Sequence, residues 1–242
     1  MKAIVLSCDK YIQLADHMIA SYQNRWPTNP FVFRIPYNQN YPFALKKKYG
    51  NKIELIQTET SIKSTVLSLI ADLNDEEWVY WCIDDKYPIE IQTHEINQIY
   101  NWLLSLSQIE ISGVIFTRTR NLVNGKYLMP ETETIFDPRG FKYLRRKDYS
   151  QIWIHQFLKV KVIRILFDNF PDQVFAAKEM DSLKKNLKLP DEHKLYVTQN
   201  NLAIFGESTT RGKLTLNCAK SFKNLGWSLP KNFEVSDQEI FI

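Results

Sequence analysis

The sequence has 242 residues, of which 44% are hydrophobic and 24% are charged, and its formal net charge at pH 7 is +4. This composition excludes a disordered chain, and the mild charge gives little support to nucleic-acid binding. No apolar run approaches the ~20 residues that a membrane span needs. The apolar run before Asp9 is too short for the core of a signal peptide, so we expect a cytoplasmic protein.

The first half of the chain alternates between short apolar runs and stretches of helical periodicity. The runs predict strands at 3–8, 31–35, 52–57, 78–83 and 112–118. The stretches between them predict helices at 12–26, at 43–50, from Ser61 to Asn74, and from Thr93, which is expected to cap its helix. Regular alternation of this kind is typical of a mostly parallel sheet with helices on both faces.

The alternation ends after residue 118, where proline, glycine, aromatic and charged residues become frequent. We expect loops and short strands at 119–150, a strand followed by a helix at 152–167, a helix between Ala176 and Leu187, apolar runs at 195–199 and 202–206, and an irregular tail from Gly226. The lysine and arginine residues between 142 and 164 are interpreted as a solvated face. A surface for an anionic lipid or a phosphorylated acceptor is the alternative interpretation.

Two adjacent carboxylates, Asp84 and Asp85, directly follow the apolar run at 78–83. Acidic side chains at the end of a buried strand are costly to hold unless they are exposed, paired or bound to a cation. They are interpreted either as structural acids or as ligands of a divalent cation that bridges a diphosphate. Because strand ends of a parallel sheet face a shared crevice, Ser7 and Asp9 after the first run should lie near the pair.

Other polar residues later in the chain are candidates for a reaction at this crevice. Glu179 and Asp181 could each serve as a general base for an acceptor hydroxyl, with solvated helix acids as the alternative. Arg211 and Lys213 flank Gly212 and could neutralise a leaving diphosphate, with a solvated turn as the alternative. Neither GxGxxG nor GxxxxGK[ST] occurs in the sequence, so a nucleotide would be held by side chains and a cation.

Several short motifs follow one another along most of the chain. They are Ser7-x-Asp9-x-Tyr11, Asp84-Asp85 with Tyr87, a helix that begins at Trp153 and runs to Leu158, AKEMDS at 177–182, and Arg211-Gly212-Lys213. This series resembles that of GT-A-type nucleotide-sugar glycosyltransferases, in particular small bacterial enzymes of surface-polysaccharide assembly. The sequence departs from the family where the usual Asp-x-Asp is an adjacent pair, and where Lys178 stands at a position at which relatives often have tryptophan.

The resemblance implies a single GT-A-like domain over 1–242, with a Rossmann-like, mostly parallel central sheet covered by helices on both faces. Residues 1–118 would form the nucleotide-binding half, and residues 119–242 would form an irregular, acceptor-binding half. The implied activity is that of a hexosyltransferase, which moves a sugar from a nucleotide-diphosphate donor to a hydroxyl of a saccharide or lipid-linked acceptor. Surface polysaccharide or glycolipid assembly, with a peripheral contact at the inner face of the membrane, would be its setting.

The resemblance also implies a role for each matching residue. Ser7, Asp9 and Tyr11 would contact the base and ribose, and Asp84 would reach the ribose or the sugar. Asp85 would bind a divalent cation, Mn²⁺ or Mg²⁺. Arg211 and Lys213 would bind the donor diphosphate, and a later carboxylate would act as base, with Glu179 preferred to Asp181.

Other functions stay open at this point. The first alternative is a non-catalytic or degenerate nucleotide-binding α/β protein. A nucleotidyltransferase would need a basic, glycine-rich loop after the first strand, and the loop here is acidic and lacks glycine. Nucleic-acid binding has no recognised motif to support it. The sequence leaves the donor sugar, the acceptor and the stereochemistry of transfer open.

Overall fold

A computed structural model describes residues 1–106, 111–119, 124–126, 128–147, 152–174, 177–183 and 189–242. The strands in these residues are β1 Lys2–Leu6, β2 Val32–Tyr37, β3 Ile53–Gln57, β4 Trp78–Ile83, β5 Lys86–Ile91, β6 Ile111–Ile115, β7 Thr134–Phe136, β8 Lys142–Arg145, β9 Gln156–Lys159, β10 Lys194–Thr198, β11 Ala203–Glu207, β12 Thr209–Thr210 and β13 Lys213–Leu214. The α-helices are α1 Ile12–Arg25, α2 Phe43–Tyr49, α3 Ile62–Leu69, α4 Thr93–Ser105, α5 Val160–Asp168, α6 Ala177–Leu183 and α7 Leu216–Asn224.

A central sheet contains nine of these strands in the order β3-β2-β1-β4-β9-β6-β10-β8-β7. The strands from β3 to β4 pair in parallel, and β6 pairs in parallel with β10. In contrast, β9 runs antiparallel between β4 and β6, and β8 is antiparallel to both β10 and β7. The predicted mostly parallel central sheet is therefore confirmed.

Helices cover both faces of this sheet, as the alternating pattern predicts. Side chains along a strand point alternately to opposite faces. On one face, Val5 and Tyr80 pack in a cluster with residues of α1, α4 and α7. On the other face, Ile4 and Trp81 pack with residues of α3, α5 and α6. Every residue of β4 is buried, which explains why this strand is a continuous apolar run in the sequence.

Local side-chain hydrogen bonds set the start of two helices. The Oγ atom of Ser61 accepts a 3.2 Å bond from the backbone nitrogen of Ser64, so α3 begins where the sequence predicts. Thr215 caps α7 in the same way, through the backbone nitrogen of Cys218. The prediction that Thr93 caps its helix is wrong, because Thr93 is the first residue of α4 and the capping position belongs to Gln92.

The segment directly after the acid pair forms a strand that the sequence pattern does not predict. β5 turns away from the central sheet and pairs antiparallel with β11 in a separate two-stranded sheet. Pro88 lies within β5 and has no backbone N–H to donate, which is tolerated in so small a sheet. The first half of the chain therefore contains a short strand between β4 and α4 in place of a simple loop.

The second half confirms some expectations and corrects one. β9 and α5 confirm the strand followed by a helix that is expected at 152–167, with α5 ending at Asp168. β7 and β8 confirm short strands within 119–150. A helix over 153–158 is wrong, because residues 152–154 form a turn and Gln156 begins β9. The buried side chains of Phe157 and Leu158 reach the core from an extended backbone. Ala176 and Leu187, the ends expected for the next helix, lie outside the described residues.

The basic residues between 142 and 164 take part in ion pairs along this face. Arg145 pairs with Glu133, and Arg164 Nε lies 2.8 Å from Asp75. Glu76 receives Lys159 at 2.8 Å and Lys161 at 2.6 Å. These pairs neutralise much of the positive charge, which favours the solvated face over a cationic binding surface. None of the helices in the described ranges has the length and apolar character to cross a membrane.

Candidate active site

The carboxyl ends of β1 and β4 lie side by side. The two strands pair in parallel with Leu6 opposite Ile83. The backbone nitrogen of Asp84 donates a 3.2 Å hydrogen bond to the carbonyl oxygen of Leu6. Ser7 and Asp84 therefore follow adjacent strand ends at one edge of the sheet, which is where open α/β sheets bind ligands.

Asp84 is the buried member of the acid pair. It is 6% exposed, and its Oδ2 atom has no hydrogen-bond partner among the residues that the structure describes. Burial, together with the adjacent negative charge of Asp85, raises the pKa of Asp84 well above its usual range. The protonated form is favoured because a buried carboxylate loses its hydration. In that form Asp84 can donate a hydrogen bond to a ligand oxygen.

Asp85 belongs to a charged cluster with Lys86 and Glu207. The carboxylates of Asp85 and Glu207 are bridged by the Lys86 ammonium group, and we call these three residues the lysine-bridged pair. The Nζ atom of Lys86 lies 3.3 Å from Oδ1 of Asp85 and 3.6 Å from Oε1 of Glu207. The lysine side chain is 8% exposed, whereas those of Asp85 and Glu207 are 34% and 28% exposed. Burial works against the charged form of Lys86, but the two carboxylates outweigh it and raise its pKa. A charged ammonium group therefore lies behind two more exposed carboxylates.

Strand pairing brings Glu207 to Asp85 from a distant part of the chain. β5 and β11 align Glu207 with Lys86, and the backbone nitrogen of Ser208 donates a 2.5 Å hydrogen bond to the carbonyl oxygen of Asp85. Sequence reasoning missed both Lys86 and Glu207. A signal for Glu207 is present, because it follows the apolar run at 202–206 just as Asp84 follows its own run.

Asp9 binds the loop that follows β2. Its carboxylate accepts hydrogen bonds from three consecutive backbone nitrogens at 38–40, at 2.7, 2.9 and 2.9 Å. Partial burial opposes the charged form, but these donors outweigh it and lower the pKa of Asp9. Tyr11 is partly buried, with its ring 5.8 Å from that of Phe233. The nucleotide contacts expected of Asp9 and Tyr11 stay predictions, and Asp9 has a structural role as well.

The two candidate bases lie on α6, and both are exposed. Oδ1 of Asp181 accepts a 2.7 Å hydrogen bond from the indole Nε1 of Trp153. Trp153 is two residues before His155, whose Nε2 atom lies 2.9 Å from the backbone nitrogen of Ile83. Trp153 therefore links α6 to the segment that enters β9 beside the end of β4. The hydrogen bond from Trp153 orients the carboxylate of Asp181. The preference for Glu179 stays a prediction.

Arg211 and Gly212 form the tip of a tight hairpin between β12 and β13. Both have positive φ angles, 49° and 78°, which suits glycine but is unusual for arginine. The hairpin begins directly after Ser208, the residue bonded to Asp85, so its base lies beside the acid pair. The Nζ atom of Lys213 lies 2.7 Å from Glu234, and this pairing leaves Lys213 less suited than Arg211 to bind a diphosphate.

The side chains around Asp85 do not fit the divalent cation that the family resemblance implies. The ammonium group of Lys86 already lies between Asp85 and Glu207, and a second cation between the same carboxylates would be repelled by it. In the part of the chain that the structure describes, no group of three or more histidine, cysteine, aspartate or glutamate side chains is arranged to hold a metal ion. The cation expected at Asp85 stays a prediction.

The architecture is similar to that of solved nucleotide-dependent transferases. The inositol-1-phosphate CTP transferase from T. maritima is 12% identical, with a TM-score of 0.53 over 94% of this chain and 98% of that chain. A putative glucose-1-phosphate thymidylyltransferase from Bacillus anthracis is 9% identical, with a TM-score of 0.50 over 98% and 100% of the two chains. The chain has a GT-A-like fold.

The structural similarity to solved glycosyltransferases is weaker. The galactosyltransferase LgtC, solved with donor and acceptor sugar analogues, is 12% identical, with a TM-score of 0.41 over 79% of this chain and 68% of that chain. A TM-score of this size carries no argument about activity. No protein-family model matches the sequence, and the comparison with curated proteins found no match. The comparisons therefore establish the fold alone.

Proposed function

We propose that this protein is a glycosyltransferase that moves a sugar from a nucleotide-diphosphate donor to a hydroxyl group of a saccharide or lipid-linked acceptor. Residues 1–118 would bind the nucleotide, and residues 119–242 would form the acceptor side. Assembly of a surface polysaccharide or glycolipid is the proposed setting. The GT-A-like fold supports the proposal at the level of a nucleotide-dependent transferase.

The observation that carries the proposal is the meeting of three polar elements at the carboxyl edge of the sheet. Asp84 follows β4 beside the end of β1. The lysine-bridged pair begins at the next residue, Asp85, and the Arg211 hairpin starts directly after Ser208, which is bonded to Asp85. A sugar needs hydrogen-bonding partners for its hydroxyls, and a leaving diphosphate needs positive charge. The three elements together offer both.

The proposed reaction breaks the bond between the sugar C1 and a diphosphate oxygen and forms a bond between C1 and the acceptor oxygen. The electron pair of the broken bond leaves with the nucleoside diphosphate, whose new negative charge the Arg211 guanidinium would offset. The proton of the acceptor hydroxyl passes to a carboxylate. We assign this role to Asp181, because Trp153 fixes its orientation, and we keep Glu179 as the alternative.

Nucleotidyl transfer is the second candidate function. Both solved structures with TM-scores of 0.50 or higher described above are nucleotidyltransferases. Against this reaction, the loop between β1 and α1 has an acidic residue, Asp9, and no glycine. A triphosphate is usually held by a basic, glycine-rich loop whose backbone approaches the phosphates. A protein that binds nucleotide sugars without catalysis is the remaining alternative.

The decisive experiment compares the products of the two reactions. The protein is incubated with UDP-, GDP-, CDP- and dTDP-sugars, and release of the nucleoside diphosphate is measured with and without acceptor. In parallel it is incubated with nucleoside triphosphates and sugar 1-phosphates, and release of pyrophosphate is measured. Nucleoside diphosphate release alone supports glycosyl transfer. Pyrophosphate release alone would replace the proposal with nucleotidyl transfer.

An Asp85→Ala variant ties the activity to the site. We expect it to lose nucleoside diphosphate release by about a hundredfold or more, with an unchanged circular dichroism spectrum. Asp191→Ala is the matched control, because Asp191 is exposed before β10, at the opposite edge of the sheet. Full activity of Asp85→Ala would remove the acid pair from the proposed mechanism.

A further inference from the structure

The lysine-bridged pair has the geometry of a carboxylate cation site in which the cation is part of the chain. Lys86 Nζ lies 3.3 Å from one carboxylate and 3.6 Å from the other. The lysine is almost fully buried, whereas the two acids reach the solvent at the carboxyl edge. In a chance contact at the surface, the mobile lysine would be more exposed than the acid that it meets.

The backbone holds this arrangement from both sides. Glu207 is opposite Lys86 in the β5–β11 pairing, and Gly206 is opposite Tyr87. A Cβ atom on Gly206 would lie 2.6 Å from Cζ of Tyr87 and 2.7 Å from Nδ2 of Asn217, so glycine at this position leaves room for the Tyr87 ring. On the other side, Ser208 is hydrogen-bonded to the backbone oxygen of Asp85. The ammonium group is therefore positioned by strand pairing as well as by charge.

We infer that the Lys86 ammonium group occupies the position in which a divalent cation would bridge Asp85 and Glu207, so that the site binds its nucleotide without such a cation. Lys86 acts as a positioning residue, which orients both carboxylates and leaves the cluster with one negative charge instead of two. The inference concerns the proposed site, but it does not depend on which group the protein transfers.

The residues predict which change would convert the cluster into a cation site. Lys86→Met keeps a long unbranched side chain of similar size but removes the positive charge. Asp85 and Glu207 would then face each other without a cation. Hard divalent ions bind carboxylate oxygens, so we expect the variant to gain affinity for Mn²⁺. Replacing Glu207 as well should remove that gain.

The test is a titration of Mn²⁺, followed by electron paramagnetic resonance, into the wild-type protein, Lys86→Met, and Lys86→Met with Glu207→Gln. We expect no binding to the wild type at millimolar Mn²⁺, one site in the single variant, and about tenfold or more weaker binding in the double variant. Lys220→Met is the matched control, since Lys220 is an exposed lysine 2.7 Å from Glu239. It should gain no site.

The inference is overturned if the wild-type protein binds Mn²⁺ and Asp85→Asn does not. This comparison needs only those two proteins, so it stands even if Lys86→Met does not fold. A second arm measures the Kd of a bound UDP-sugar by calorimetry in EDTA and in Mn²⁺. Equal values, within about twofold, support the inference, and binding that needs Mn²⁺ overturns it. If no nucleotide sugar binds under either condition, the proposed function fails while the Mn²⁺ titration still decides the role of Lys86.

Discussion

The Nε2 atom of His155 lies 2.9 Å from the backbone nitrogen of Ile83, the residue directly before the acid pair. The Nδ1 atom of the same ring lies 2.7 Å from the hydroxyl oxygen of Tyr22. The ring is fully buried, and burial lowers its pKa to about 3. Nε2 also lies 2.9 Å from the carbonyl oxygen of Ile83, so the neutral imidazole bonds to Ile83 and Tyr22 at once, with donor and acceptor roles set by its tautomer. His155 therefore fixes the end of β4, from which Asp84 and Asp85 extend.

Removing this ring should weaken the fold. We expect His155→Ala to lower the free energy of unfolding by about 3 kcal/mol, because it leaves a cavity and a buried N–H without a partner. Urea denaturation followed by tryptophan fluorescence measures the change. His94→Ala, at an exposed position on α4, is the control and should stay within about 0.5 kcal/mol of the wild type. Equal effects of the two substitutions would contradict the assigned role of His155.

Asp9 should contribute pH-dependent stability through its bonds to the loop at 38–40. The pKa of Asp9 is lower in the folded protein than its ordinary value of about 4. Its stabilisation is therefore fully present above that ordinary value and is lost as the pH falls through the folded-state pKa. We expect Asp9→Ala to cost about 1 kcal/mol at pH 7 and much less at pH 3. Urea denaturation at both pH values measures the difference, and a cost independent of pH would argue against the charged interaction.

Arg211 adopts a left-handed backbone conformation at the tip of its hairpin. Arg211→Gly should relieve backbone strain of about 1 kcal/mol and remove the positive charge that the proposed reaction uses. We therefore expect unchanged or slightly higher stability, together with weaker binding of a nucleoside diphosphate in calorimetry. The control is Lys231→Ala, at an exposed position in the C-terminal tail. Lys223→Gly would not serve, because Lys223 lies in a helix. Undiminished nucleotide affinity in Arg211→Gly would remove the arginine from the donor site.

The general base can be assigned by comparing two conservative variants. Asp181→Asn should lower kcat by about a hundredfold or more with little change in donor KM, because a proton acceptor acts in the transition state. Glu179→Gln, two residues away and also exposed on α6, should stay close to the wild type, because side chains two apart on a helix point in different directions. The reverse result would assign the base to Glu179. Equal rates for all three proteins would exclude both acids.

The sequence alone determined most of the first half of the fold. β4 was predicted from Trp78 to Ile83, as the structure has it, because a strand buried on both faces is a continuous apolar run. Helical periodicity and the Ser61 cap are equally local signals. The acid pair at the end of β4 followed from the same pattern. The helix at 153–158 was wrong because one apolar run fits a buried strand as well as a buried helix, and only packing decides between them.

Only the tertiary structure decided what surrounds the acid pair. Lys86 belongs to a strand whose partner, β11, is distant in the sequence, so no local pattern could predict that Glu207 faces it. The same holds for His155, which reaches Ile83 only because β9 inserts beside β4. Two carboxylates after a buried strand indicate that Asp84 and Asp85 need solvent, a paired group or a cation, because buried charge is costly. That Lys86 is buried between Asp85 and Glu207 depends on long-range strand pairing, which the sequence does not encode locally.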